Sequence, residues 1–138
     1  NNALSVDLIG QINVESTFGG RMLNGIGGQP DVHLGALYSR GGRAITLLQS
    51  TALEGSVSRI VAKFEAGEIV TIPRFFSDTV VTEYGVASLV GRNHRERAEA
   101  LIATAVDAYG RLDGDRIVAH LQGIGRWSYA DPCGPGPI

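Results

Sequence analysis

An α/β fold in a single domain is predicted, and three observations predict it. Short apolar runs rich in β-branched residues recur at 4–8, 12–16, 44–48, 57–61, 69–72 and 80–82. A glycine-rich stretch, Asn24-Gly25-Ile26-Gly27-Gly28-Gln29-Pro30-Asp31-Val32, leads into a run that can be helical. A second helix has a clear start at Asn93. Short strands interleaved with a few helices are the α/β pattern. The 138 residues suffice for one core, and 43% hydrophobic against 19% charged content is globular rather than disordered.

The elements follow in order. Leu4, Val6 and Leu8 alternate with Ser5 and Asp7, which predicts a strand with one polar side. Gly10-Gln11 is a turn signal, and Ile12 to Ser16 alternates again, so the two segments can pair as a hairpin. Thr17 to Gly20 reads as loop, and residues 31–39 as a short helix carrying Val32, Leu34, Ala36 and Leu37. Asp31, next to Pro30, can cap or open that helix. Residues 44–48 read as a buried strand, 50–56 as a loop, 57–61 as a strand, and 69–72 as a strand stopped by Pro73. Residues 80–82 form another strand, while 86–90 suggests one helical turn. In the Asn93 helix, Ala98, Leu101, Ile102 and Ala105 recur at helical spacing, with Arg95, Glu96, Arg97 and Glu99 in solvent. Gly110 to Asp115 breaks it, residues 116–121 suggest a short further helix, and 126–138 is a Pro/Gly-rich tail after a domain over 1–125.

Composition narrows the function classes. A net charge of −2 implies no general attraction to nucleic acid. No apolar run approaches the ~20 residues of a membrane helix. The one cysteine, Cys133, leaves no internal disulfide or Cys-based metal site and fits a reducing, cytoplasmic setting. His33, His94 and His120 lack metal-ligand spacing, so no metal is expected. Ser50 and Thr51 have no base nearby in sequence to activate them. The chain opens on Asn1 rather than Met and is patterned as structure from the start, which suggests a piece of a longer polypeptide.

The glycine stretch is the main candidate site. Glycine removes the side chain and permits φ > 0, so a ligand can approach backbone N–H groups closely. Placed at a helix amino terminus, such a loop suits an anion or a developing oxyanion. A tight surface turn is the competing reading. The spacing is not a dinucleotide fingerprint, because it lacks the full glycine pattern, a strand directly before it and an acid ~20 residues later.

With these segments assembled, the chain resembles the C-terminal domain of the acetyl-CoA hydrolase/transferase family, which includes 4-hydroxybutyrate, butyryl and succinyl CoA-transferases. The resemblance covers residues 1–105 and rests on segments in a fixed order: Asn2-Ala3-Leu4 with Val6-Asp7-Leu8, Gly10 to Ser16, Gly25 to Gln29, Ser50-Thr51-Ala52, Ser58 to Val61, Val81 to Ala87, and Arg95 to Ala98. Two departures stand out. His33 occupies a place where a bulky or aromatic residue is usual, and Ala105 to Arg111 replaces an Ala-His-Pro-Asp-Phe-Arg-like segment.

The resemblance implies a three-layer α/β/α sandwich of the CoA-transferase type, paired in intact members with a second such domain. It implies acyl-CoA and a small carboxylate as substrates, coenzyme A as substrate rather than cofactor, and a chain compatible with homo-oligomers. The implied mechanism passes through an acyl anhydride and a glutamyl-CoA thioester. The Glu that carries it lies upstream of the segment matching Asn1–Leu8, outside this chain, so the fragment alone is expected to be inactive. Within the chain, Gly27 and Gly28 are the candidate oxyanion donors. Asn2, Glu15, Gly25, Gln29, Arg59, Glu83 and Tyr84 are the candidate substrate- or CoA-binding residues. Each has a structural alternative: a loop-holding hydrogen bond for Glu15 and Gln29, a strand-edge amide for Asn2, an Arg59–Glu83 pair, and a core tyrosine for Tyr84. Acyl-CoA hydrolysis, a non-catalytic acyl-CoA-binding module and a purely structural domain are the competing functions. The expected placement puts Gly25–Gln29 at the end of a strand facing a cleft, with Val81–Gly85 bringing Glu83 or Tyr84 to it from a neighbouring strand.

Overall fold

In chain order the elements are β1 (Ser5–Asp7), β2 (Ile12–Asn13), α1 (Gln29–Tyr38), β3 (Ile45–Leu47), β4 (Thr51–Ala52), β5 (Val57–Ser58), β6 (Ile60–Val61), β7 (Thr79–Thr82), β8 (Gly85–Ser88) and α2 (His94–Ile102). This is a computed structural model, and it describes residues 1–105. The expectations for 110–115, 116–121 and 126–138, and the boundary at 125, lie outside the described residues.

β1 and β2 form the expected hairpin, with Ser5 opposite Asn13 and Val6 opposite Ile12. Gly10 takes φ +90°, a conformation that favours glycine, and a Cβ there would displace the Arg97 guanidinium, whose Nη1 would lie 2.8 Å from it. The polar side of β1 is not solvated as the alternation suggests. Ser5 and Asp7 are as buried as Val6, because β6 pairs parallel along the other edge of β1 and makes it a central strand. The buried polar groups are satisfied internally. Asn13 Nδ2 donates to Ser5 Oγ at 3.1 Å, and the Asp7 carboxylate accepts from Ile9 N, Gln11 N and Gln11 Nε2. Burial raises the Asp7 pKa, and the Gln11 hydrogen bonds oppose it only in part.

A second three-stranded sheet runs β3-β7-β8, with β3 and β7 parallel and β7 and β8 antiparallel. A parallel bridge between Asn2 and Leu47 joins its edge to the start of β1. β8 corrects the helical turn expected at 86–90. Val86 and Ala87 pair with Val81 and Val80, so cross-strand packing decides what the local sequence leaves ambiguous. The expected loop at 50–56 contains the β4–β5 hairpin, and the expected strand at 57–61 is divided at Arg59 into β5 and β6, which pair with different partners. Residues 69–72 form no strand and are not the buried centre of a sheet. Thr71 N and Ile72 N both donate to Ile12 O, Pro73 removes the next donor, and one Ile12–Ile72 bridge is all that forms.

The core gathers Val6, Leu8, Ile12, Ile72, Val80, Leu89 and Leu101. α2 contributes Ala98, Leu101 and Ile102, as its spacing predicts, and packs on β8. Its amino end is a capping box: Asn93 Oδ1 accepts from Glu96 N at 3.0 Å, and Glu96 Oε2 accepts from Asn93 N at 2.8 Å. Arg97 departs from the solvated face. Its guanidinium donates to Ile9 O and Arg74 O and ties α2 to the β1–β2 turn.

α1 begins two residues before position 31, with Pro30 and Asp31 in its first turn rather than ahead of it. Its burial inverts the hydrophobic pattern: Gln29 and His33 are buried, while Val32, Leu34 and Leu37 are exposed. The β3-β7-β8 sheet likewise has Thr46, Val80 and Ala87 buried on one face, but Ile45, Leu47 and Val86 exposed at 45%, 45% and 67% on the other. The described residues therefore make a small α/β domain with mixed sheets and two helices. A complete three-layer sandwich is not seen in them.

Candidate functional site

The glycine loop is placed by a relay from β2. Asn13, at the end of β2, uses its whole side chain: Oδ1 accepts from Glu15 N and Ser16 N, while Nδ2 donates to Ser16 O and Ser5 Oγ. This fixes the backbone of Glu15, whose carbonyl accepts from Leu23 N at 2.7 Å and Asn24 N at 3.1 Å. Gly25 to Gly28 then run exposed into α1, with Gly28 as its N-cap residue. Gly27 sits at φ +57°, a conformation that favours glycine. A Cβ at Gly25, Gly27 or Gly28 would meet nothing within 4 Å. Packing therefore does not require glycine there, and the backbone of the loop is open to approach.

The amides of Gly25, Ile26, Gly27 and Gly28 donate no hydrogen bond to another described residue. They sit at the positive end of α1. Gln29 is buried, yet its Nε2 has no hydrogen-bond partner among the described residues. A buried amide nitrogen without an acceptor is costly unless something arrives to accept from it. These groups, with Asn2, Leu4, Val14 and Asn24, line a cleft of about 290 Å³. His33 holds the first turn of α1 in place. Its Nδ1 donates to Gln29 O at 2.9 Å, and Nε2 faces the Thr46 hydroxyl at 3.4 Å on β3.

A second cavity of about 520 Å³ adjoins the first across Asn2 and Ala3 and is lined by Leu47, Gln49, Arg59, Val81 and Glu83 among others. Glu83 is fixed by Ser50, which donates through its N (2.9 Å) and its Oγ (2.7 Å). Burial opposes ionisation of Glu83, but the Ser50 hydrogen bonds and the charge of Arg59 outweigh it and hold the carboxyl below its ordinary value. Arg59 acts on Glu83 at a distance: no ion pair within 4 Å joins them, the two among the described residues being Arg43–Asp78 and Arg95–Glu99.

The structure thus brings Asn2, Gly25, Gly27, Gly28 and Gln29 together in one cleft, and Asn2, Arg59 and Glu83 in the next. The polarity of the edge is mixed. The Glu83 cavity lies at the carboxyl ends of β3 and β7 but at the amino ends of β1 and β6, which run parallel to each other, whereas the glycine cleft is lined by the residues before β1 and after β2 and by no residue of β3 or β7. Glu15 lines neither cavity, and its Oε2 accepts from Thr71 Oγ1 at 2.8 Å. Tyr84 sits in the β7–β8 turn, 41% exposed; it lines neither cavity and is no core tyrosine. Sequence reasoning missed Asn13, His33, Thr46 and Ser50 as the residues that position the others. Asn13 and Ser50 gave a signal only as members of the Gly10 to Ser16 and Ser50-Thr51-Ala52 segments, His33 only as a departure from the family pattern, and Thr46 gave none. Among the described residues, no three His, Cys, Asp or Glu side chains cluster as metal ligands.

A family model, the acetyl-CoA hydrolase/transferase C-terminal domain, matches residues 1–111. The chain belongs to this family. Among curated relatives, this acetyl-CoA hydrolase/transferase domain is 49% identical over 105 residues to 4-hydroxybutyrate coenzyme A transferase of Clostridium kluyveri, covering 76% of this chain and 24% of the relative. Among solved structures, it matches RipA from Yersinia pestis with a TM-score of 0.74 at 35% identity, covering 90% of this chain and 27% of that one. It also matches a 4-hydroxybutyrate CoA-transferase from Porphyromonas gingivalis with a TM-score of 0.63 at 35% identity, over 90% and 26%. The domain spans about a quarter of the length of the curated relative it matches.

Proposed function

We propose that this domain is the C-terminal portion of a CoA-transferase that moves CoA between an acyl-CoA and a small carboxylate. The observation that carries the reading is one cleft combining unpartnered glycine amides at the head of α1 with the buried, unpartnered Nε2 of Gln29. A thioester carbonyl gains negative charge on oxygen when a carboxylate attacks it, and fixed donors stabilise that charge. The N–H groups of Gly27 and Gly28 are the donors. Gln29 Nε2 and the Asn2 amide hold a second oxygen, and Gly25 keeps the approach open. Arg59 and Glu83, in the adjoining cavity, present a charge pair to the polar part of the substrate.

The attacking carboxylate is a Glu outside this chain, supplied by an upstream domain. It displaces CoA thiolate and forms an acyl-glutamyl anhydride. The thiolate then attacks the glutamyl carbonyl, releasing the acyl carboxylate and leaving a glutamyl-CoA thioester. An acceptor carboxylate reverses both steps. Each addition builds an oxyanion, so one set of donors serves the whole cycle. The similarity to CoA-transferases supports this order of events.

The test is Gly28→Val in the full-length protein that contains this chain. The branched side chain projects into open space, so the fold stays intact while a carbonyl can no longer reach the amides. We expect kcat to fall by about 10²–10³-fold, the loss typical of one missing oxyanion donor. Thermal stability should fall by about 1 kcal/mol at most, the cost of valine in place of glycine at the N-cap. A large loss of stability with unchanged kcat would assign the loop a structural role.

A further inference from the structure

Residues 65–72 make no strand, yet they hold the 14–24 loop from behind. Ile69 N donates to Ser16 Oγ at 3.0 Å. Val14 N donates to Thr71 Oγ1 at 3.1 Å, and the Thr71 hydroxyl donates in turn to Glu15 Oε2 at 2.8 Å. Further along, the two backbones touch: a Cβ on Gly20 would lie 2.6 Å from the Gly67 carbonyl. Thr71 is buried, and its hydroxyl spends its one proton and a lone pair on two adjacent residues, Val14 and Glu15. A hydroxyl bonded to a carboxylate is held more strongly than one bonded to a neutral acceptor. The Glu15 side chain lines neither the glycine cleft nor the Glu83 cavity. Its bond to Thr71 therefore acts on the cleft only through the backbone that it fixes.

That backbone is the entry to the glycine loop. The Glu15 carbonyl accepts from Leu23 N and Asn24 N, and the Val14 carbonyl accepts from Asn24 Nδ2 at 3.4 Å. Beyond Asn24 the amides of Gly25 to Gly28 donate no hydrogen bond to another described residue. The next hold on the chain is the His33 contact to Gln29 O and Thr46. The loop is thus slung between two anchors, Glu15 before it and His33 after it, and a shift of either moves the amides between them. Oxyanion donors work only at about 2.7–3.1 Å from the charged oxygen, and a misplacement of about 1 Å can cost about 10²-fold in rate. We infer that Thr71 and Glu15 are positioning residues for the Gly27 and Gly28 amides, acting through the Glu15 carbonyl and Asn24. This rests on the oxyanion reading above. It assigns Glu15 to the back of the loop rather than to a ligand, and it gives the strandless segment 65–72 a task, which is to present Thr71.

The test uses the full-length protein that contains this chain. kcat and KM are measured with one acyl-CoA and one acceptor carboxylate, and melting temperature in parallel, at an assay temperature where every variant is folded. Thr71→Val keeps the shape of the side chain and removes both hydrogen bonds. It should lower kcat by about 10–10²-fold and leave KM within about twofold, because the lost interaction is made in the transition state. Thr71→Ser returns the hydroxyl and should recover most of kcat. In a Gly28→Val background, where the amides are already blocked, Thr71→Val should cost less than about twofold more, since residues that act as one unit are not additive. Should Thr71→Val not fold, Glu15→Ala, alone and with Gly28→Val, makes the same comparison. A lowered melting temperature with unchanged kcat, a serine variant as impaired as the valine one, or losses that multiply in the double variant each overturn the positioning role and leave the oxyanion reading standing. A Gly28→Val protein with wild-type kcat overturns both.

Discussion

Two carboxylates in this domain are tuned in opposite directions, and each gives a pH dependence of definite sign. Glu83 is held below its ordinary value of 4.5 by Ser50 and Arg59, against burial. Its stabilising contribution is therefore present above that value and is lost as pH falls through the lower folded value. Glu83→Gln should flatten this acid limb in melting curves taken across the acid range; an unchanged limb would show that other groups control it. Asp7 is raised above 3.8 by burial, with Gln11 opposing. Its contribution is complete below 3.8 and is lost as pH rises through the raised folded value. Asp7→Asn, which still offers an acceptor to Ile9 N and Gln11 N, should remove that loss and leave neutral-pH stability equal or higher. A marked loss at neutral pH would mean the charge itself is needed. The place of Gly27 just ahead of α1 was legible in the sequence because a glycine run before a helix is a local signal. The Ser50–Glu83 contact was not, because 33 positions separate the two residues and only the β3–β7 pairing brings them together.

Elements were legible in proportion to how locally they are determined. α2 carries its own instructions: the Asn93/Glu96 capping box and an apolar stripe at helical spacing. Asn93→Ala removes the acceptor for Glu96 N and should destabilise the domain by about 1 kcal/mol. Chemical denaturation checks this, and a change below about 0.3 kcal/mol would show that the first turn is held by tertiary contacts alone. β8 and the segment 69–72 were misjudged for the reverse reason. Both contain β-branched residues, yet one finds a four-residue partner in β7 and the other finds a single bridge before Pro73. In α1 the helix itself was readable, but not its orientation. The buried face is set by the His33 contacts to Gln29 and Thr46, a polar link across chain that no hydrophobic pattern reports.

At the scale of the whole molecule, exposed apolar surface is the dominant feature. The outer side of α1 and the Ile45–Leu47–Val86 sheet face both present large aliphatic groups to solvent. Large aliphatic side chains exposed in this number suit a contact face. It agrees with a domain that spans about a quarter of the curated relative it matches and that, in the function proposed above, works against an upstream domain carrying the nucleophile. On that account residues 1–138 alone have no thioester-exchange activity, and a coupled assay on the isolated chain should read background. The most direct test of the central division of labour is to locate the covalent intermediate. The full-length protein that contains this chain is incubated with an acyl-CoA in the absence of acceptor, digested, and the CoA-bearing peptide identified by mass spectrometry. The account predicts one glutamyl-CoA adduct on a Glu outside residues 1–138, depleted in the Gly28→Val variant; an adduct on Glu15, Glu83 or any other residue within 1–138 would contradict it.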